Sequence, residues 1–374
     1  MAALSRSERI VLGVVALATA LAGIAHYADW PSGLAFALAT VLAGVLRYAA
    51  DPGVPSFVVA AAALAGLAWL VSFGTEQVGA RFGPSVTGFL QSTLGNLPEF
   101  FIVIFALSAG ETVVAQTSII GSLFANALLV LGLVIVVGSR SADDRCMRFG
   151  RRLPTDTTTL LLVAVFIIVI TGLSVASGDK ASDDIKTISA IGAGCILLVY
   201  VSWLWGYLRS DSPASGEAEH AATVPLPLAL GILAVAGVGA AFVSDWFIHA
   251  LDPAIDSLGI SKAFAGLVIV AIAGNAVENF TGIVLARKRR YDLAISVVKN
   301  SVAQIAAFLF PALVLVSLAF ENTLTFQLAG VYIGALLFTA LAIWQITGDG
   351  EAQEFEGWAL IAIYVMLATF TLYE

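Results

Sequence analysis

Apolar residues in this chain gather into long unbroken runs, without the strict alternation of a strand or the narrow stripe of a surface helix, and glycine, proline or charge separates each run from the next. A helix needs about 20 mostly apolar residues to cross the hydrocarbon core of a bilayer. The runs predict spans at roughly 10–27, 33–50, 54–80, 84–109, 112–137, 158–176, 188–208, 224–250, 261–286, 292–320, 327–347 and 356–373. The first two are short, so the pattern gives eleven or twelve transmembrane segments. The connecting loops are brief, the longest being 138–157 and 209–223, and nothing is left over for a water-soluble domain of useful size.

Lysine and arginine in short loops orient such a bundle, because they stay on the cytoplasmic side. Loop 138–157 carries Arg140, Arg145, Arg148, Arg151 and Arg152, and the turn after 286 carries Arg287, Lys288, Arg289 and Arg290, so both are expected in the cytoplasm. Alternation then places the turn at 110–111 and the C-terminus outside. The linker 209–223 comes out cytoplasmic although it holds Asp211, Glu217 and Glu219, since acidic residues contribute little to the rule.

The chain also repeats itself. Gly95-Asn96-Leu97-Pro98-Glu99 recurs as Gly274-Asn275-Ala276-Val277-Glu278, and Ser122 recurs as Ser301, both 179 residues on. The second copy comes five spans after the first, and an odd offset reverses direction across the membrane. An inverted repeat of this kind is the architecture of many secondary transporters, whose sites lie near the midplane where the halves meet.

Glu99 and Glu278 are the deepest acids in these spans. Glu99 lies 15 residues past Pro84 and 10 before Ala109, which at about 1.5 Å per residue sets it near the bilayer centre. A carboxylate there is costly and marks a functional site by default, the plainer alternative being a protonated packing residue. Asn96 and Asn275 each stand three residues before their Glu, a spacing that shares a helix face and offers an amide oxygen beside a carboxylate. The next helix of each half adds oxygens at helical intervals: Ser118, Ser122 and Asn126 in the first, Ser301 and Gln304 in the second. These also serve as hydrogen-bond glue between membrane helices. Gly95, Gly121 and Gly274 suit close helix approach or local unwinding, which would release backbone carbonyls as ligands.

Composition narrows the function classes. The chain is 59% hydrophobic and 12% charged, far from the roughly 25% charged residues of soluble domains. A net charge of −8 argues against nucleic acid as a partner. Two cysteines, Cys146 in a polar loop and Cys195 in an apolar run, form neither a zinc pattern nor a disulfide framework. No H-E-x-x-H or G-x-S-x-G is present, and Asp143-Asp144 sits in the Arg-rich loop as a solvated turn, so an enzyme is not expected.

The stretches 95–132 and 274–311, with their paired G-N-x-x-E, resemble the two alpha-repeats of the Ca²⁺/H⁺ antiporter family, in the calcium/cation exchanger superfamily. The resemblance spans roughly 54–373. It implies an all-α polytopic membrane protein of two inverted-topology five-helix repeats, 54–208 and 224–374, joined by an acidic cytoplasmic linker at 209–223 and preceded by one or two N-terminal helices in 1–53. By the same resemblance Glu99 and Glu278 bind cation and proton alternately and are the carboxylate ligands of the transported Ca²⁺. Asn96, Asn275, Ser122, Ser301 and Gln304 line the site, with Ser118, Asn126 and Asn300 as secondary positions. Glu76 and Asp245, near the ends of the matching spans 54–80 and 224–250, resemble acids that the family places at cation entrances.

Some positions depart from the pattern. Pro98 brings the first motif close to the S-L-P-E of Na⁺/Ca²⁺ exchangers, while Asn96 favours the antiporter branch. Asn300 stands where many relatives have glycine, and Lys299 before it is expected to snorkel toward the cytoplasmic face. The reading is therefore a secondary transporter in a prokaryotic plasma membrane, with the lipid bilayer, Ca²⁺ and H⁺ as partners, no cofactor, and the oligomeric state open. Its rivals are a Na⁺/Ca²⁺ or monovalent cation/H⁺ exchanger, an intramembrane enzyme and a passive channel.

Overall fold

A computed structural model describes residues 31–49, 51–79, 81, 90, 94–209 and 223–374, with side chains for all of these except 31–37, 152–153, 207–209 and 276–279. The span expected at 10–27, the start of that at 84–109 and most of the linker 209–223 lie outside the described residues. Twelve helices are described: α1 Pro31–Ala49, α2 Val54–Gly79, α3 Leu97–Ser108, α4 Thr112–Ser141, α5 Arg152–Ser177, α6 Ile185–Arg209, α7 Leu226–Leu258, α8 Lys262–Gly274, α9 Ala276–Arg287, α10 Tyr291–Ser317, α11 Gly330–Thr347 and α12 Glu354–Leu372. Eight of them are long and apolar enough to cross a bilayer. The chain is a multi-pass membrane protein.

The repeat is written into the backbone as well as the sequence. Asn96 and Asn275 have nearly the same torsions, φ −88°, ψ 12° and φ −103°, ψ 12°, at the point where a new helix begins. The left-handed residue of the following turn is Gly110 (φ 84°) in one half and Arg289 (φ 59°) in the other. α4 and α10 each pass through a π-helical stretch, Ala125–Val130 and Ile305–Leu309, shortly after Ser122 and Ser301.

The two turns nonetheless sit at opposite ends of the bundle. Near Gly110, Glu111 pairs with Lys262 at 2.6 Å and Asn322 donates to the Leu107 carbonyl. Near Arg289, the guanidinium pairs with Asp143 at 2.8 Å among the arginine-rich loops. The halves are therefore inverted. α2 packs on α7, α5 on α11, α4 on α12 and α6 on α10, each contact joining one half to the other. α4 is the innermost helix, with 89% of its apolar stretch buried, and α10 follows at 67%.

Two expectations need correction. The spans 84–109 and 261–286 are not continuous rods: the second breaks at Asn275 and the helix of the first restarts at Leu97. Pro98 cannot be the cause, because Val277 stands in its place in the second half and that helix breaks too; the shared element is Gly-Asn. The span begun near 224 runs on to Leu258 instead of ending at 250. The all-helical fold carries one short ribbon among the described residues. Cys146–Arg148 pairs antiparallel with Glu351–Gln353, which ties the Arg-rich loop of the first half to the α11–α12 connection of the second. Met147 and Ala352, opposite each other in that ribbon, are fully buried, and Ser139 donates to the Ala352 carbonyl.

Where α4 crosses α8 the backbones touch, because Gly121 and Gly266 carry no side chain. A Cβ on Gly121 would fall 2.4 Å from Leu267 Cα, a backbone atom that cannot swing aside. Gly121→Ala is expected to cost about 1–3 kcal/mol and to lower the thermal midpoint of the purified protein. Gly194→Ala, at a position with open space around it, should leave it unchanged.

The ribbon sets the reactivity of Cys146. Burial first, then the charge of Glu351, pushes its thiol above the usual cysteine range. Glu351→Gln removes the second cause, lowers that value and raises the thiolate fraction, so a membrane-impermeant maleimide should react faster at neutral pH. Labelling should come from the side of the arginine-rich loops alone, and Cys195, exposed on the outer face of α6, should stay unlabelled. Labelling of Cys146 from outside intact cells would reverse the expected orientation.

Candidate cation and proton site

Glu99 sits in the first turn of α3, directly after the break at Asn96, and is only 5% exposed. Its Oε1 accepts two hydrogen bonds, one from Ser122 Oγ on α4 and one from Asn275 Nδ2 in the break between α8 and α9. Asn275 Nδ2 also lies 2.9 Å from Ser122 Oγ and donates to the Ala271 carbonyl at 3.0 Å. One carboxylate oxygen is thus held by a hydroxyl of its own half and an amide of the other. The spacing predicted Asn96 as the amide beside Glu99. Asn96 is buried in the turn ahead of the helix, and an amide of the second half reaches Oε1.

This meeting depends on two glycines. Gly121 brings α4 and α8 into contact one residue before Ser122, and a Cβ on Gly274 would fall 2.9 Å from Glu99 Cγ. The π-helical stretch follows at once. Asn126, at its start, donates to the Ser122 carbonyl at 3.0 Å, and its buried Oδ1 has no donor among the described residues. Ser118, one turn back on α4, donates to the Ala115 carbonyl and lines a narrow void beside Glu99 together with Ile102, Val103, Ile119 and Val270. All of these lie on the Glu111 side of the carboxylate.

The second half supplies matching groups. Ser301 is buried and Gln304 is half-buried just before the π-helical stretch of α10, and among the described residues neither Ser301 Oγ nor the buried Asn300 Oδ1 has a hydrogen-bond partner. Asn96 is buried. Glu278 lies in the first turn of α9, and its side chain falls outside those described.

The remaining sequence candidates stand apart from this cluster. Glu76 is half-buried near the end of α2. Its neighbour Gln77 accepts from the Thr223 and Val224 backbone N–H groups at the opening of α7, which sets Glu76 at the arginine-rich end of the bundle. Asp245 is not near the end of its span. It adjoins Ser244, whose hydroxyl is 3.5 Å from the Pro98 carbonyl, so it stands level with Glu99 and well short of Leu258.

Lys299 neither snorkels to the surface nor faces the Glu99 cluster. It is 3% exposed, and its ammonium donates to the Pro154 carbonyl at 2.9 Å, Thr158 Oγ1 at 2.5 Å and Thr347 Oγ1 at 2.7 Å. α5 and α11 wrap it in oxygens with no carboxylate partner among the described residues. Sequence reasoning missed this cage, as it missed Ser244 and Gly266. Each is a single small or hydroxyl residue within an apolar run, and such residues carry no signal of what they face.

Known proteins match this chain over most of its length. A family model described as sodium/calcium exchanger protein matches residues 52–208 and 228–373. The Ca²⁺/H⁺ antiporter ChaA of Bacillus subtilis is 29% identical over 96% of this chain and 98% of its own length. The Ca²⁺/H⁺ antiporter of Synechocystis is 30% identical, covering 83% and 89%. Among solved structures, native YfkE superposes with a TM-score of 0.75 at 27% identity, over 91% of this chain and 97% of that one. The H⁺/Ca²⁺ exchanger CAX gives 0.70 at 15% identity over 98% and 92%, a likeness of fold.

The cage around Lys299 makes a prediction of its own. Thr158 and Thr347 also donate to the Pro154 and Ile343 carbonyls, so removing the ammonium strands neither hydroxyl. A buried ion without a counter-ion costs more than an apolar side chain of similar volume. Lys299→Met should therefore keep or raise the thermal midpoint, and a fall of many degrees would show that the cage stabilises the fold.

Proposed function

The chain belongs to the sodium/calcium exchanger protein family, and from that premise we propose that it is a Ca²⁺/H⁺ antiporter in which Glu99 and Glu278 bind Ca²⁺ and protons in turn. The observation that carries this reading is the buried Glu99 carboxylate, held by Ser122 of its own half and Asn275 of the other. A site shared in this way feels any rocking of one half against the other.

Two carboxylates in one water-poor site cannot both keep their charge unbalanced, because repulsion and lost solvation penalise the doubly charged state. Two protons balance them, and so does one divalent cation. Loading either species expels the other, and if only balanced states cross between the two faces, exchange is obligatory. Ca²⁺ takes 6–8 oxygens in a flexible shell, whereas Mg²⁺ gives up its waters reluctantly. Glu99 and Glu278, with Asn96, Asn275, Ser122, Ser301 and Gln304, supply carboxylate, amide and hydroxyl oxygens of the right kind. Rotating the Asn275 amide about its last bond exchanges the N–H that now donates to Glu99 for a carbonyl oxygen able to face a cation. The hydroxyl of Ser122 turns the same way. The breaks at Asn96 and Asn275 release backbone carbonyls to complete the shell.

The halves that move would be 54–208 and 224–374. In this reading Glu76, at the arginine-rich end, receives cations from that side. Asp245, level with the site, is not placed as an end-of-helix entrance. With the arginine-rich loops in the cytoplasm of a prokaryote, an inward proton gradient drives Ca²⁺ out of the cell. No cofactor and no covalent step enter this cycle.

Ion flux in proteoliposomes with an imposed pH gradient tests the reading. Glu99→Gln and Glu278→Gln should each lower Ca²⁺ flux by about thirtyfold or more, since losing one member of a buried charged set costs 2 kcal/mol or more. Both variants should remain folded, because Gln keeps the size and one acceptor oxygen. Glu354→Gln, at the arginine-rich surface with Arg140 and Arg145, should stay within about twofold of the parent. Flux that followed an imposed Na⁺ gradient and ignored the pH gradient would replace the proton with Na⁺ as the coupling ion.

A further inference from the structure

Two charged residues at the end of the bundle remote from the arginine-rich loops turn away from their own helices. Glu111 stands just before α4, where the free N–H groups of a helix attract a carboxylate, yet its side chain makes no capping bond. Lys262 is the first residue of α8, after the cap that Ser261 makes with the Phe264 N–H, and a cation at that end opposes the helix dipole. Each finds its partner across the molecule. The Lys262 ammonium donates to Glu111 Oε2 at 2.6 Å and lies 3.0 Å from Asp252 Oδ1 of α7. Glu111 belongs to the first half and Lys262 to the second, so the bond joins the halves.

The elements joined in this way are the walls of the void beside Glu99. Ile102 and Val103 of α3, Ser118 and Ile119 of α4 and Val270 of α8 line that void, on the Glu111 side of the carboxylate. Further out along the same seam α4 lies directly on α8. A Cβ on Gly266 would fall 3.0 Å from Thr117 Cβ and 3.1 Å from the Ser118 backbone nitrogen, so the seam has no room for a passing ion. Access to Glu99 from this end therefore requires α8 to part from the α3–α4 turn, and the Glu111–Lys262 bond spans that parting line.

We propose that the Glu111–Lys262 ion pair is the latch of a gate between α8 and the α3–α4 turn, which closes the path from this end of the bundle to Glu99 and opens once in each transport cycle. The use of the gate rests on the antiport reading, and its position on the contacts alone. A partly exposed ion pair suits the task because it is weak. Screened by water, such a pair shifts an equilibrium by only a few-fold, enough to bias the gate toward closed without freezing it. Asp252 completes the device. It moves with Lys262 in the second half, so the ammonium keeps a carboxylate when Glu111 withdraws.

Opening is read by a thiol placed in the void. In the full-length protein with Ser118→Cys, and with Cys146→Ser and Cys195→Ser removing the native thiols, a maleimide in detergent solution labels at a rate set by the open population. Lys262→Gln and Glu111→Gln should each raise that rate about threefold to fivefold, and the double variant should be no faster than the faster single one, since both changes break the same bond. Lys262→Arg keeps the charge and should stay within about twofold of the parent. Arg289→Gln, which frees the opposite end, should leave the rate unchanged or lower it. Unchanged labelling in Lys262→Gln, additive effects in the double variant, or a like rise in Lys262→Arg or Arg289→Gln would overturn the latch. Labelling needs neither Ca²⁺ nor a pH gradient, so a failed latch leaves the antiport reading standing, and a failed antiport reading leaves the labelling result intact.

Discussion

The constraint on which the rest of this structure depends is the burial of a carboxylate at the crossing of two inverted halves. Glu99 lies where water is scarce, and the groups that hold one of its oxygens come from α4 and from the break between α8 and α9. A charge in such a place must be met by donors, protons or a cation. Holding those partners within reach requires helices that approach more closely than ordinary side chains permit, and helices that stop in mid-membrane. The glycines at 121, 266 and 274 and the Gly-Asn breaks satisfy these two requirements.

Interrupted helices are tolerated in a bilayer because the unpaired backbone is enclosed by protein and can serve as ligand. The same economy explains the π-helical stretches after Ser122 and Ser301. A wider turn shifts the register of α4 and α10 just past the site, so that one helix can present polar oxygens at the centre and an apolar face to its neighbours further on. At the arginine-rich end the inverted halves are joined again, through the short ribbon of Cys146–Arg148 with Glu351–Gln353 and the Arg289–Asp143 ion pair. At the other end the Lys262 ammonium bridges Glu111 and Asp252. Contacts between the halves at both ends are what a rocking mechanism has to form and break.

Lys299 shows how far a buried charge can stand from the chemistry of a site on the same helix. It is two residues from Ser301, yet its ammonium points to Pro154, Thr158 and Thr347. On a helix, two residues turn the side chain by most of a half circle, so adjacency in sequence places it against α5 and α11. Any electrostatic influence of Lys299 on the Glu99 cluster is then a matter of distance through protein rather than of direct contact.

The sequence by itself determined the membrane class, most of the described spans, the inverted repeat and the depth of Glu99, because each is written in hydrophobic run length, charge placement and a motif repeated 179 residues apart. Those signals are local or one-dimensional. What the tertiary structure decided is which groups meet. An amide of the other half, Asn275, reaches Glu99 Oε1, α7 carries Asp245 level with Glu99 rather than at a helix end, and Lys299 lies among two hydroxyls and a carbonyl. The reason is that a helix face is fixed by spacing, while the partner across that face is fixed only when inverted halves pack at a particular crossing, and no spacing within either half encodes that crossing.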